Sequence, residues 1–158
     1  MGYPMLVLEP IKLKVKQSVV NDFKTLAKKA YPKEAFSVLL GHDCGTLIEV
    51  VDLYTPENID RHTTKYGFDI KPEWWFYAYE KAKEEDLTIV GDIHSHCFDL
   101  VESKGPIKLE PTPSELDLID GLLHISGICL ITQGPTGKLR SRIRMWGPQV
   151  RVDTEIVK

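Results

Sequence analysis

The stretch Leu87-Thr88-Ile89-Val90-Gly91-Asp92-Ile93-His94-Ser95-His96 decides the reading of this chain. From Leu87 to His94 it is a strongly apolar strand, and it closes on two imidazoles. Residues two apart in a strand point to the same face, so His94 and His96 can offer ring nitrogens to one ion at the strand's C-terminal end. Neutral imidazole suits zinc, and a catalytic zinc usually has three protein ligands and a water. An isolated His-x-His is equally compatible with two hydrogen-bonded histidines at a strand end, so the rest of the chain must supply a third ligand.

Upstream of this strand, Pro72 to Asp86 predicts a helix, with Pro72 in the first turn, where its missing N–H costs nothing. The polar stretch from Thr55 to Tyr66 reads as a loop. Apolar strands are predicted over 35–41 and 46–54, with Cys44-Gly45 as the turn between them. Val19, Phe23, Leu26, Ala27 and Ala30 recur at helical spacing between Ser18 and Tyr31, and Pro32 ends that run. Residues 5–15 read as an opening strand, in which Ile11, Leu13 and Val15 alternate with lysines. Downstream, Cys97 to Glu110 reads as a loop. Thr112-Pro113-Ser114-Glu115 is a capping box with proline in the first helical position, opening a helix that reaches about His124. Strands over 127–132 and 139–146 are joined by the turn Gly134-Pro135-Thr136-Gly137. Strands interleaved with helices indicate an α/β arrangement.

The chain has 158 residues, which favours one domain over residues 1–158. It is too short for a (β/α)8 barrel, which takes about 250 residues. A composition of 42% hydrophobic and 27% charged residues is that of an ordinary globular chain, able to fold without a metal or disulfide staple. A metal found here is therefore expected to be functional. The net charge of -3 and the pI of 6.0 speak against nucleic acid and against electrostatic membrane binding. Three widely spaced cysteines without a Cys-x-x-Cys pair exclude the usual cysteine zinc site and the thioredoxin motif. An odd cysteine count with no signal peptide predicts a reducing, cytoplasmic compartment. The apolar stretch Gly121 to Ile131, interrupted by His124 and Ser126, falls far short of the roughly 20 residues that span a bilayer.

Three carboxylates compete for the third ligand position. Asp117 lies three residues after Ser114 on the capped helix, so the two share a face near its N-terminus. The positive end of the helix dipole also accounts for them without a metal. Asp92 has the strand parity of His94 and His96, and Asp99 sits in the following loop. A zinc hydrolase also needs a base, and Glu34 stands just before the strand over 35–41. No His-Glu-x-x-His helix is present, which excludes the common zincin arrangement. No His-x-Glu with Cys-x-x-Cys is present, which excludes a zinc nucleobase deaminase. No glycine-rich phosphate loop is visible.

The order Glu34, then His94-Ser95-His96, then Ser114-x-x-Asp117 resembles the JAMM (MPN+) metalloprotease motif. Tyr31-Pro32-Lys33-Glu34-Ala35 with Val38-Leu39-Leu40-Gly41 is similar to the family's segment around its glutamate. Phe68-Asp69-Ile70-Lys71-Pro72 is similar to its entry into the second helix, and Ile89-Val90-Gly91 to the lead into its histidines. The likeness spans roughly residues 11 to 133. It implies a single-domain JAMM/MPN fold, a mixed β-sheet flanked by helices with cytidine deaminase-like architecture. It implies that His94, His96 and Asp117 ligate Zn2+ and that a water takes the fourth position. Glu34 would accept the water's proton and deliver it to the leaving amine, and Ser114 would donate a hydrogen bond to the oxyanion. The implied activity is hydrolysis of peptide or isopeptide bonds. Because family members cut after the C-terminal Gly-Gly of ubiquitin-like modifiers or small sulfur-carrier proteins, such a protein is the expected substrate. A peptidase of phage assembly or cell-wall metabolism is an alternative. So is a non-catalytic MPN-type scaffold, whose mark is loss of the glutamate or a ligand; none is lost here.

Three departures from the family pattern bear on the substrate more than on the chemistry. Residues 97–113 put 17 positions between His96 and Ser114, more than the usual spacer. Cys97 stands where the family commonly has proline, and Phe36-Ser37 replaces a Cys-Gly pair common in prokaryotic members. Outside the motif, Trp74, Trp75, Tyr77 and Tyr79 form an aromatic stripe expected in the core, with at least one tryptophan partly exposed. Arg140, Arg142 and Arg144 alternate along one strand and read as a solvated face, or as a contact for an acidic partner.

Overall fold

A computed structural model describes residues 11–57, 59, 63–64, 67–68, 70–101, 125–147 and 152–158. In chain order the elements are β1 (Ile11–Lys16), α1 (Gln17–Ala30), β2 (Phe36–Asp43), β3 (Leu47–Tyr54), β4 (Thr63–Thr64), β5 (Gly67–Phe68), α2 (Pro72–Glu84), β6 (Thr88–Asp99), β7 (Ile125–Gln133), β8 (Leu139–Trp146) and β9 (Val152–Val157). Seven strands form one mixed sheet in the order β8-β7-β6-β2-β3-β1-β9, and β4 and β5 form a small hairpin apart from it. β1 runs parallel to β3 and β9, and β6 parallel to β7; the other neighbours are antiparallel.

The two helices take opposite faces of the sheet. α1 forms because Val19, Val20, Phe23 and Ala27 fall on one stripe, and all four are buried. Lys28 and Lys29 in its last turn suit the negative end of the helix dipole. This stripe packs on Leu13, Val15, Leu39, Ile93 and Cys129. Burial of a side chain such as Phe23 or Leu13 contributes about 1.5–3 kcal/mol. The other face carries Phe36, Val38 and Leu40, covered by Trp74, Ala78 and Ala82 of α2. Those three recur at i, i+4 and i+8, which is why α2 meets the sheet along one line.

Close strand approach depends on two glycines. A Cβ on Gly91 would lie 1.8 Å from the Ile125 carbonyl oxygen, and one on Gly41 would lie 1.7 Å from that of Glu49. Both positions sit beside register shifts, at Leu39/Leu40 in the β2–β6 pairing and at Leu40/Gly41 in the β2–β3 pairing.

The sequence expectations hold for α1, α2, β2, β3 and β8 to within a few residues. Three corrections follow from tertiary pairing. β6 continues past His96 to Asp99, because β7 offers partners as far as Asp99↔Gln133, so Cys97 to Asp99 is strand and not loop. The polar stretch before α2 contains the β4–β5 hairpin. β9 was not anticipated; it forms along β1, where Asp153 stands opposite Lys12 and Glu155 opposite Lys14. The aromatic stripe divides: Trp74 is core, whereas Tyr77 and Tyr79 are exposed. The capped helix expected over 112–124 lies outside the described residues. Among the described residues, no helix is long and apolar enough to cross a membrane.

Candidate metal centre

β6 is the strand that builds the site. It lies between β2 and β7, with His94 opposite Phe36 on one side and Ile128 on the other, and His96 opposite Leu130. Strand alternation puts Asp92, His94 and His96 on the α2 face of the sheet. His94 is buried and His96 half-buried. Their ring centroids are 4.9 Å apart, and the two Nε2 atoms are 3.1 Å apart. Two nitrogens at about 2.0–2.1 Å from one tetrahedral zinc stand about 3.3 Å from each other, so these rings converge as a shared ion requires. The same separation suits an N–H···N hydrogen bond between them, the donor set by tautomer.

Glu34 lies just before β2 in the chain. The ladder pairs Phe36 with His94, and the Ser95 N–H donates to the Ala35 carbonyl oxygen at 3.0 Å. The ladder itself begins at Phe36, and Glu34 lies two residues before it in the chain. Its own N–H donates to the Thr64 carbonyl oxygen at 2.9 Å, which ties the segment to β4.

Ser95 is the residue that sequence reasoning missed. Strand parity turns it to the opposite face from its histidine neighbours, where it is fully buried. Its Oγ accepts the Ala35 N–H at 2.7 Å. It thus grips the residue next to Glu34 through two hydrogen bonds. The available signal was a small hydroxyl between two same-face histidines, which alternation must send into the core. Phe36 fills the space beside His94 and stacks on Trp74 at 5.7 Å, with Trp75 edge-on at 6.3 Å. Ser37, the other half of that departure, shares a hydrogen bond with Thr55 at 2.8 Å.

The rival ligands sort themselves by geometry. Asp92 faces the correct way, but its Oδ1 accepts the Ser126 hydroxyl at 2.9 Å. Asp99 falls on the opposite parity, and its Oδ1 accepts the Val101 N–H at 2.8 Å. Cys97 is also on the opposite parity, and its Sγ lies 3.5 Å from the Lys33 carbonyl oxygen. Among the described residues, no third His, Cys, Asp or Glu joins the two imidazoles in a metal-sized group. Ser114 and Asp117 lie outside the described residues. Among the described residues the structure brings His94 and His96 together, and the segment carrying Glu34 is tied to the same strand through Ala35 and Ser95.

Among the described residues, a mixed sheet with one helix on each face and paired histidines on an inner strand makes an α/β protein of the JAB/MPN kind. The family model for prokaryotic homologs of the JAB domain matches residues 16–99, more than half of the chain, and the chain belongs to that family. Among solved structures, it is similar to protein DSY2949 from Desulfitobacterium hafniense, with a TM-score of 0.57 and 17% identity, covering 91% of this chain and 94% of that one. It is also similar to AF2198, a JAB1/MPN domain protein from Archaeoglobus fulgidus, with a TM-score of 0.54 and 15% identity, covering 92% of this chain and 98% of that one. These likenesses show the fold. No curated protein matches the chain.

Proposed function

We propose that this protein is a zinc-dependent hydrolase of peptide or isopeptide bonds. The observation that carries the reading is the convergence of the His94 and His96 Nε2 atoms at 3.1 Å on a strand whose Ser95 is hydrogen-bonded to Ala35, the residue after Glu34. In this reading His94 and His96 hold the ion through Nε2, and Asp117 is the third donor. Bound zinc lowers the pKa of a water ligand toward about 7 and polarises a carbonyl. Glu34 takes the proton from the attacking water and passes it to the departing amine, a role typically worth about 10² to 10⁴ in rate. Ser114 donates a hydrogen bond to the carbonyl oxygen as negative charge grows there. The substrate we propose is a ubiquitin-like or sulfur-carrier protein cut after its C-terminal Gly-Gly. That choice rests on the likeness of the motif to the JAMM pattern.

The test has two parts. Zinc stoichiometry is measured in the wild type, His96→Ala, Asp117→Ala and Asp92→Ala. Cleavage of linear and isopeptide-linked ubiquitin-like fusions is then assayed with the wild type, with Glu34→Ala and with chelator. The expected result is that Glu34→Ala keeps its metal and loses activity, and that His96→Ala and Asp117→Ala lose metal. Cleavage by Glu34→Ala at the wild-type rate overturns the mechanism. Full metal in Asp117→Ala with loss in Asp92→Ala overturns the ligand assignment.

A further inference from the structure

Among the described residues, β8 is an outer strand of the sheet, paired with β7 from Ser126↔Trp146 to Gln133↔Leu139. Leu139, Ile143 and Met145 turn to the α1 core, while Arg140, Arg142 and Arg144 are exposed on the other face. The register carries this row to the imidazoles: Arg142 pairs with Leu130 and Leu130 with His96, and Arg144 pairs with Ile128 and Ile128 with His94. The arginines thus share the histidine face at two strand spacings, about 10 Å.

Among the described residues, ion pairing does not account for the row. The other basic row, on β1, is matched: Lys12 stands opposite Asp153 and Lys14 opposite Glu155. Opposite Arg140, Arg142 and Arg144 stand Thr132, Leu130 and Ile128. Among the described residues, no carboxylate forms a salt bridge with any of the three. At the end of the row the Arg144 guanidinium sits 4.7 Å over the Trp146 ring. The Trp146 Nε1 is buried and has no acceptor among the described residues. Among the described residues, no strand pairs with the outer edge of β8. β9, the other outer strand, does not pair with β8, and a cavity of about 580 Å³ lies between them, lined by Ile143, Met145 and Trp146 of one and Val152 and Thr154 of the other.

We propose that β8 is a docking edge for a protein partner that adds an extended segment bearing Asp or Glu at alternate positions. Its carboxylates would repeat at the period of the arginines, and its backbone would pair with the outer-edge N–H and C=O groups of β8. A row of like charge opposes edge-to-edge pairing of two copies of this chain, so a second copy is not the occupant. The proposal goes beyond the hydrolytic reading and does not depend on it.

The test uses the full chain and a fluorescein-labelled peptide of alternating Glu and Val, eight residues long like β8, read by fluorescence anisotropy. Saturable one-to-one binding is expected. Arg140→Glu with Arg142→Glu should weaken it by about tenfold or more, while circular dichroism and the urea midpoint stay those of the wild type because both side chains are exposed. A peptide with Lys for Glu should prefer the charge-reversed protein. N-methylation of alternate peptide amides should weaken binding similarly, as strand addition demands. Four results overturn the proposal: no saturable binding, equal binding of a Gln-for-Glu peptide, no loss on N-methylation, or tighter binding of a single-stranded oligonucleotide of equal charge. Binding is read without catalysis, so a chain that hydrolyses nothing still passes or fails this test.

Discussion

Ser95→Ala isolates the contact that seats the proposed base. In the wild type the Ser95 Oγ accepts the Ala35 N–H at 2.7 Å, and both residues are fully buried. Alanine removes the acceptor and little volume, so the Ala35 N–H is left desolvated and unpaired. A buried donor in that condition costs about 1–3 kcal/mol. For a chain of this size each kcal/mol shifts the thermal midpoint by about 2–4 °C, so the variant should melt about 2–12 °C lower. The urea slope should be unchanged while the midpoint falls, since the surface exposed on unfolding is the same. Amide exchange gives the local reading: the Ala35 N–H should lose protection by a larger factor than the amides of β9, at the far edge of the sheet. If the hydrolytic reading holds, activity falls further than stability, because Glu34 is the next residue along the loosened segment. A stability loss under about 0.5 kcal/mol, the range of an inert surface change, would refute the reasoning, as would unchanged protection at Ala35.

Three further outcomes are expected. Gly91→Ala places a methyl 1.8 Å from the Ile125 carbonyl oxygen, a backbone atom that cannot rotate away; the variant should lose about 3 kcal/mol or more, read as a drop in the urea midpoint. Asp52 shares a hydrogen bond with Glu85 and an ion pair with Lys81. Burial raises the Asp52 carboxyl, but the hydrogen bond with Glu85, the Leu53 N–H and Lys81 outweigh it and hold Asp52 below the ordinary carboxylate range. Glu85 is pushed up by that same hydrogen bond, then by burial and the Asp52 charge. A raised folded pKa stabilises at low pH and is lost as pH rises through it, while the lowered Asp52 stabilises until pH falls through its own. The pair therefore favours a mildly acidic window, and Glu85→Gln should reduce the loss of urea midpoint between about pH 4.5 and about pH 7.5. The effect is small, because Glu85 is exposed to solvent. Thiol labelling followed by mass spectrometry should find Cys44 fast, Cys97 slower and Cys129 blocked until unfolding: Cys44 is exposed, and burial pushes the Cys129 thiol up to about 12 against the opposing charges of Lys24 and Lys28.

What the sequence alone determined here is whatever depends on a local period or a local backbone rule. Val19, Phe23 and Ala27 specify α1 because 3.6-residue spacing is written in the order of the residues. Pro72 marks the start of α2, and strand parity puts His94 and His96 on one face wherever that strand runs. The motif order from Glu34 to Asp117 was likewise legible, although Ser114 and Asp117 lie outside the described residues. What only the tertiary structure decided is whatever depends on a neighbour distant in sequence. β6 runs on to Asp99 because β7 is there to bond it, and β9 exists because β1 offers both an edge and opposite charges. The segment carrying Glu34 is held to the histidine strand only by a contact between residues 60 apart, Ser95 on Ala35. A strand has no internal hydrogen bonds, so its length, register and company are set by partners that a linear pattern does not name.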